Sequence, residues 1–210
     1  MGVRLDTTRQ KKENKIMKNK VVSALTTVVT GKNTRCSYLC ASEAKEPMGG
    51  GTPKFSGSFI IPKDDVVTYE KIKAAIKAAY EEGEGKLRGS GKTVPPLSSI
   101  KNPLRDGDQD RPEDPAYANA WFINSNSIRK PKCFDAAGNE IIDSSELYSG
   151  IYAKVMINFY AYNVNGNKGI AAGFQGLKKV RDGEPLGGAY ITADSFGEDD
   201  DDDDDDGFLN

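Results

Sequence analysis

The chain of 210 residues contains no histidine. That single absence removes every Ser-His and Cys-His couple and every imidazole metal ligand. Cysteine is scarce as well, with only Cys36, Cys40 and Cys133. An odd, sparse set reads as reduced thiols in a cytosolic protein rather than a disulfide framework. Cys36 and Cys40 lack the second ligand pair that a zinc site requires, so no metal and no cofactor are expected. No run of 18 apolar residues occurs, and the start is polar and Lys-rich, so neither a transmembrane helix nor a signal peptide is expected.

Two further chemistries fail on spacing. Gly89-Ser90-Gly91-Lys92-Thr93 ends like a phosphate-binding P-loop, but Lys86 stands where that pattern needs its first glycine, and Pro95-Pro96 blocks the helix that should follow. Asp135, Glu140, Asp143 and Glu146 cluster around a small predicted hairpin, where solvated turn acids usually sit. They form no recognisable nuclease pair. The expectation is a protein without a catalytic centre.

What the chain does have is segregated charge. Its formal net charge is only −2, but Glu198 to Asp206 are nine consecutive acids. Taking those nine from the 31 acids leaves 22 against 29 bases, a body near +7. Within that body Lys86–Arg105, Asn119–Phe134 and Leu147–Arg181 contain bases and no acid at all. Such stretches are the electrostatic footprint of a polyanion partner. The run of Asp199, Asp200, Asp201, Asp202, Asp203, Asp204, Asp205 and Asp206 cannot fold alone, because like charges repel. It ends in an apolar tip, Phe208-Leu209, which a purely solubilising tail would lack.

The organisation read along the chain is a polar arm (1–22), a mainly β body of α+β type (23–192) and the acidic tail (193–210). Leu25–Cys40 and Phe55–Ile61 have strand character and read as a hairpin with a long Gly/Pro connection. One amphipathic helix is predicted over Thr68–Glu82, with Tyr69, Ile72, Ile76 and Ala79 as its stripe and Gly83 as its end. Trp121–Ile123 reads as a short strand and Asn124–Lys132 as a polar connection. Asp106-Gly107 and Asp182-Gly183 read as paired turn signals.

Ile151–Asn163 is the strongest strand, and Asn165-Gly166-Asn167 marks the hairpin to the next strand. Alternation places Ile151, Ala153, Val155, Ile157, Phe159 and Ala161 on its core face. Tyr152, Lys154, Met156, Asn158, Tyr160 and Tyr162 occupy the other face. Three tyrosines beside a cation suit a platform on which unpaired bases stack; the plain alternative is that tyrosine favours sheets. Tyr152, Lys154, Tyr160, Tyr162 and Lys168 are therefore candidate binding residues. Lys54, Phe55, Lys101, Arg105, Trp121, Arg129 and Lys130 complete the set, and Asp199–Asp206 with Phe208 and Leu209 are the candidate partner-binding tail.

Several segments carry a resemblance to a known family. These are Pro103-Leu104-Arg105-Asp106-Gly107-Asp108, Phe122-Ile123-Asn124-Ser125-Asn126-Ser127, Lys130-Pro131, Tyr148-Ser149-Gly150, Asn158–Asn163, Gly166–Ala171 and Val180–Gly188. In this order they resemble a phage single-stranded DNA-binding protein family with an OB fold. The resemblance implies a five-stranded OB-like barrel with one inserted helix, long loops and disordered termini. It implies a protein that coats single strands in phage DNA replication, recombination or repair, in the cytoplasm of the bacterial host. The tail would limit DNA binding and recruit replication or recombination proteins, and a homodimer is allowed. An RNA-binding protein or annealing chaperone, and a metal-dependent nuclease, are the rival readings.

Overall fold

The computed structural model describes residues 25–47 and 49–187. The arm, most of the predicted tail boundary and the whole acidic run with Phe208 and Leu209 lie outside them.

The described chain is mainly β, a mixed sheet of eight strands. The strands are β1 (Thr27–Val29), β2 (Arg35–Lys45), β3 (Lys54–Pro62), β4 (Leu104–Asp106), β5 (Ala120–Ser127), β6 (Lys132–Phe134), β7 (Tyr152–Val164) and β8 (Asn167–Arg181). Pairing runs β7–β2–β3–β5–β8 and returns from β8 to β7, with β1 added on β7, β4 on β5 and β6 on β8. The β5–β8 and β6–β8 pairs are parallel and the rest antiparallel.

The period-2 pattern of β7 does what it dictates. Ile151, Val155 and Ile157 have no exposed surface, and Phe159 next to them has almost none. They meet Phe59, Ile61, Ile123, Phe174 and Leu177 in one core, where the Phe59 and Phe174 rings lie 5.0 Å apart. The β7–β8 turn bends at Asn165 (φ 51) and Gly166 (φ 83), the left-handed pair that a two-residue hairpin needs.

Helix α1 (Val66–Glu82) starts where Asp65 accepts a hydrogen bond from the Thr68 amide at 3.0 Å. It buries Thr68, Ile72, Ala75, Ile76 and Ala79 against the sheet, each large aliphatic contributing about 1.5–3 kcal/mol. Tyr69, assigned to the stripe, is instead half-buried at its edge. Gly83 caps the helix, its amide donating to the Ala79 carbonyl at 3.0 Å, and it is glycine because a Cβ there would overlap Ala161 of β7. Two short α-helical segments follow, α2 (Glu84–Arg88) and α3 (Gly107–Asp110), and three single 3₁₀ turns lie at Leu97–Ser99, Pro115–Tyr117 and Ser144–Glu146, so helix is not confined to the one predicted segment. Among the described residues no helix is long and apolar enough to cross a membrane.

Other sequence expectations are corrected. Leu25–Cys40 is not one strand but two, broken at a turn through Lys32-Asn33. Asn124–Ser127 is not a connection but the second half of β5, paired residue by residue with β3. Pairing on the sheet overrides the weak strand propensity of Asn and Ser. The two Asp-Gly signals are not turns. Gly107 opens α3 and Gly183 lies in an irregular segment just after β8; neither has a positive φ. Both are glycines because of close approach: a Cβ would overlap the Tyr117 carbonyl in one case and the Gly150 carbonyl in the other.

Candidate nucleic-acid interface

Strands β3 and β5 turn Ser56, Ser58, Asn124 and Asn126 to the side away from the Phe59–Ile123 core, as their alternation and register require. These side chains floor a depression of about 260 Å³ walled by Tyr38 and Arg111. Tyr38 reaches it through a β-bulge in β2, where the register with β3 slips between Ser37 and Cys40 and Tyr38 takes φ 48. The Tyr38 ring is 61% exposed. The Arg111 guanidinium lies 5.2 Å from its centroid, and 4.6 and 5.4 Å from those of Tyr117 and Phe122.

Asn126 also lines a second depression of about 470 Å³, so the two adjoin. The second is bordered by Lys54, Ser127, Ile128, Arg129, Lys130 and Tyr160, with Gly173 and Gln175 of β8. Tyr160 is 45% exposed and its ring lies against Gly173 of β8. Gln175 stands out because β8 carries one extra residue between its pairings with Met156 and Ile157. Among the described residues no carboxylate forms an ion pair with Lys54, Arg129 or Lys130. The result is one groove with a neutral, hydrogen-bonding floor, basic walls and an exposed aromatic ring toward each end.

Of the candidates, Lys54, Arg129, Lys130 and Tyr160 come together in this groove. Tyr152 does not join them: eight residues along β7 place it roughly 26 Å away. Its ring is held between Arg181, 3.3 Å from the centroid, and Arg35, at 5.7 Å. Between the two tyrosines Asn158 is taken by β1, donating to the Thr26 and Thr27 hydroxyls, so the outer face of β7 is not one continuous platform. Tyr162 is half-buried over Gly169, close to Lys101. Lys101 and Lys168 gather at that hairpin end, where the Lys168 ammonium donates to the Arg88 carbonyl. Lys154 faces a separate cleft with Val29 and Met156.

Two candidates, Trp121 and Arg105, are engaged elsewhere, and a third, Phe55, points away from the groove. Trp121 points to the helix side of β5, stacked on Tyr69 at 5.0 Å with the Lys63 ammonium 4.9 Å from its ring. Phe55 alternates with Gly57, Phe59 and Ile61 on the core-facing side. Arg105 lies over Phe122 at 4.8 Å and pairs with Asp110 at 2.8 Å. Lys179, part of one acid-free stretch, is 9% exposed and bonded to Asp182 and Glu146. Its bond and that of Tyr148 to the Asp182 carboxylate hold that group below its usual range.

Sequence reasoning missed Tyr38, Arg111, Asn124, Asn126 and Gln175. The alternation Phe122-x-Asn124-x-Asn126 was the available signal for two of them. The thiols of Cys36 and Cys133 are pushed up to about 12 and about 11, chiefly by burial. Among the described residues no group of three or more Cys, Asp or Glu could hold a metal ion.

Known proteins match this chain along most of its length. The putative protein p50 of Acyrthosiphon pisum secondary endosymbiont phage 1 is 30% identical over 172 residues, covering 78% of this chain and 89% of that protein. The single-stranded DNA-binding protein of bacteriophage Enc34, solved in complex with single-stranded DNA, superimposes with a TM-score of 0.59 at 26% identity, over 77% of this chain and 88% of that one. The single-stranded DNA-binding protein of bacteriophage T7 shares the fold at 13% identity, with a TM-score of 0.55 over 88% of this chain and 98% of that one. The sequence model of the Enterobacter phage Enc34 ssDNA-binding protein family matches residues 26–207, and the chain belongs to that family.

Proposed function

We propose that this protein is a sequence-tolerant single-stranded DNA-binding protein that coats and protects unpaired DNA during phage DNA replication, recombination or repair. The observation that carries the reading is the groove across β3, β5 and β8, continuous through Asn126, with Lys54, Arg129 and Lys130, free of ion pairs among the described residues, on its walls and Tyr38 and Tyr160 toward its ends. Lys54, Arg129 and Lys130 neutralise phosphates while the two rings stack on bases. The family assignment favours DNA as the polymer. The ring of pairings also supports an OB barrel. Taken in chain order its strands are β2, β3, β5, β7 and β8, and the second and third carry the groove, as in OB-fold oligonucleotide sites.

In this reading the protein is not an enzyme and acts in the cytoplasm of the bacterial host. Its acidic tail competes with DNA for the basic surface and recruits replication or recombination proteins. Titrating labelled oligo-dT, duplex DNA and RNA at 50 and 200 mM salt tests it, with Mg²⁺ present in a parallel gel. Tight, salt-sensitive binding of oligo-dT with weaker duplex binding and no cleavage is expected. Equal affinity for duplex, preference for RNA, or cleavage of the DNA would each overturn it.

A further inference from the structure

Beyond the groove, two rows of paired residues cross the outer face of the sheet. Lys132, Gly176, Met156 and Val29 stand opposite one another on β6, β8, β7 and β1, and Phe134, Lys178 and Lys154 form the next row. Gly176 contributes no side chain, and a cleft of about 440 Å³ lies over these rows. Its floor is apolar, with Val29 and Met156 45% and 44% exposed. Its cations are Lys132, Lys154 and Lys178, all exposed, and no acid lines it. Among the described residues none of the three has an ion-pair partner. Lys154 and Lys178 face each other directly across the β7–β8 ladder, and like charges placed opposite are unfavourable without an anion between them. The cleft adjoins the groove at Gln175, which lines both.

We infer that a single strand leaving the groove turns over Gln175 and continues into this cleft, laying a base on Met156 and Val29 and its phosphates among Lys132, Lys154 and Lys178. The inference rests on the single-strand reading above and lengthens the stretch of DNA that one copy holds. The chemistry selects an unpaired strand. Three unpartnered lysines ask for a polyanion, and the apolar floor asks for an apolar face beside it. An unpaired base has such a face free, whereas the bases of a duplex are stacked on each other and would leave Met156 and Val29 uncovered. The length fits as well. Tyr160 and Lys154 are six residues apart on β7, roughly 20 Å, which is up to about six nucleotides at the stacked rise of about 3.4 Å per strand. The two parts of the path take different sides of a base, its edge over the amides and hydroxyls of the groove and its face over the cleft. Neither part demands a particular sequence.

The test compares oligo-dT of about six and about sixteen nucleotides, within the roughly 4–16 that one OB fold covers, each in excess over the full chain. The four methionines are labelled at the methyl carbon, and the Met156 signal is assigned with Met156→Leu. The longer strand should move the Met156 methyl upfield, into the ring current of a base, while the shorter one, held in the groove, leaves it in place. Lys154→Ala/Lys178→Ala removes two exposed, mutually repelling charges and should keep the melting temperature. It should flatten the salt slope of the longer strand by about 1.4, two phosphate contacts at about 0.7 each, and leave that of the shorter strand unchanged. Between 50 and 200 mM salt its loss of affinity for the longer strand should therefore shrink about sevenfold. A Met156 signal unmoved by the longer strand would overturn the inference, as would slopes that change for both lengths alike or for neither. A shorter strand that shifts Met156 equally would overturn it too, by making the cleft a site of its own. If the shorter strand binds and these outcomes fail, the inference alone falls; if neither length binds, the single-strand reading falls with it.

Discussion

Replacing Tyr160 is the sharpest probe of the groove, because it is the candidate tyrosine that is both open to solvent and in the same depression as Lys54, Arg129 and Lys130. Base–aromatic stacking contributes about 1–3 kcal/mol per base. At about 1.4 kcal/mol per tenfold, Tyr160→Ala should weaken oligo-dT binding about 5- to 140-fold. Tyr160→Leu, which still covers Gly173, should lose nearly as much. The loss should be the same at 50 and 200 mM salt, since no charge is removed. Arg129→Ala should instead flatten the slope of log affinity against log salt by about 0.7, the release expected for one phosphate contact on a single strand. The same measurement on Tyr152→Ala is the control. That ring is already contacted by Arg181 and Arg35, so its removal should cost less than Tyr160→Ala. Fluorescence anisotropy with a labelled oligomer reads all four variants, with thermal melts confirming that each remains folded. If Tyr160→Ala binds like the parent, or Tyr152→Ala loses as much as Tyr160→Ala, the groove has been drawn along the wrong face.

Four further outcomes are expected. Deleting residues 198–210 should tighten single-strand binding at low salt and let duplex binding appear, an effect that shrinks above about 0.15 M as screening grows; affinities for both DNA forms with and without the tail check it. In the native protein one thiol, the half-buried Cys40, should react with a disulfide reagent at pH 8, while Cys36 and Cys133 should wait for denaturant. Arg111→Ala should lower stability by about 1–2 kcal/mol through lost cation–π contact with Tyr117 and Phe122, read by urea melts. The Asp182 carboxyl, held low by its bonds to Lys179 and Tyr148, supplies stability that is present above its unfolded value near pH 4 and is lost as pH falls through its lower folded value. Acid melts of Asp182→Asn should show a shallower decline over that window.

The helix, the β7–β8 hairpin and the core face of β7 were legible because each repeats one period over many residues. Ile72, Ile76 and Ala79 recur at helical spacing, and Ile151 to Ala161 alternate without a break. The outer face of β7 was legible as a pattern but not as a surface. Alternation says which side Tyr152, Asn158 and Tyr160 take; it does not say that β1 covers Asn158 or that two arginines enclose Tyr152. Bulges hid the rest. Tyr38 and Gln175 reach the groove through single extra residues in β2 and β8, and nothing local in those stretches marks an insertion. Charge misled for a related reason. Lys179 and Arg105 sit in acid-free stretches, yet Glu146, Asp182 and Asp110 reach them from other parts of the chain or from the next turn. A count along the chain sees only sequence neighbours.

The floor of the groove explains why its readout would be tolerant of sequence. Ser56, Asn124, Asn126 and Gln175 offer hydroxyls and amides, each able both to donate and to accept. An edge presenting an acceptor, as in thymine, and one presenting a donor, as in cytosine, can both be satisfied by rotating the same side chain. A fixed guanidinium or carboxylate would prefer one and penalise the other. The charged groups are instead confined to the walls, at Lys54, Arg129 and Lys130, where in the proposed function they would meet phosphates, which are the same for every base. Replacing Asn124 with aspartate should therefore do more than weaken binding. It would place a fixed acceptor in the floor, and the affinity ratio of oligo-dC to oligo-dT should rise by about 1–3 kcal/mol of discrimination if the amide touches a base edge. A uniform loss across all homopolymers would instead place Asn124 against the backbone.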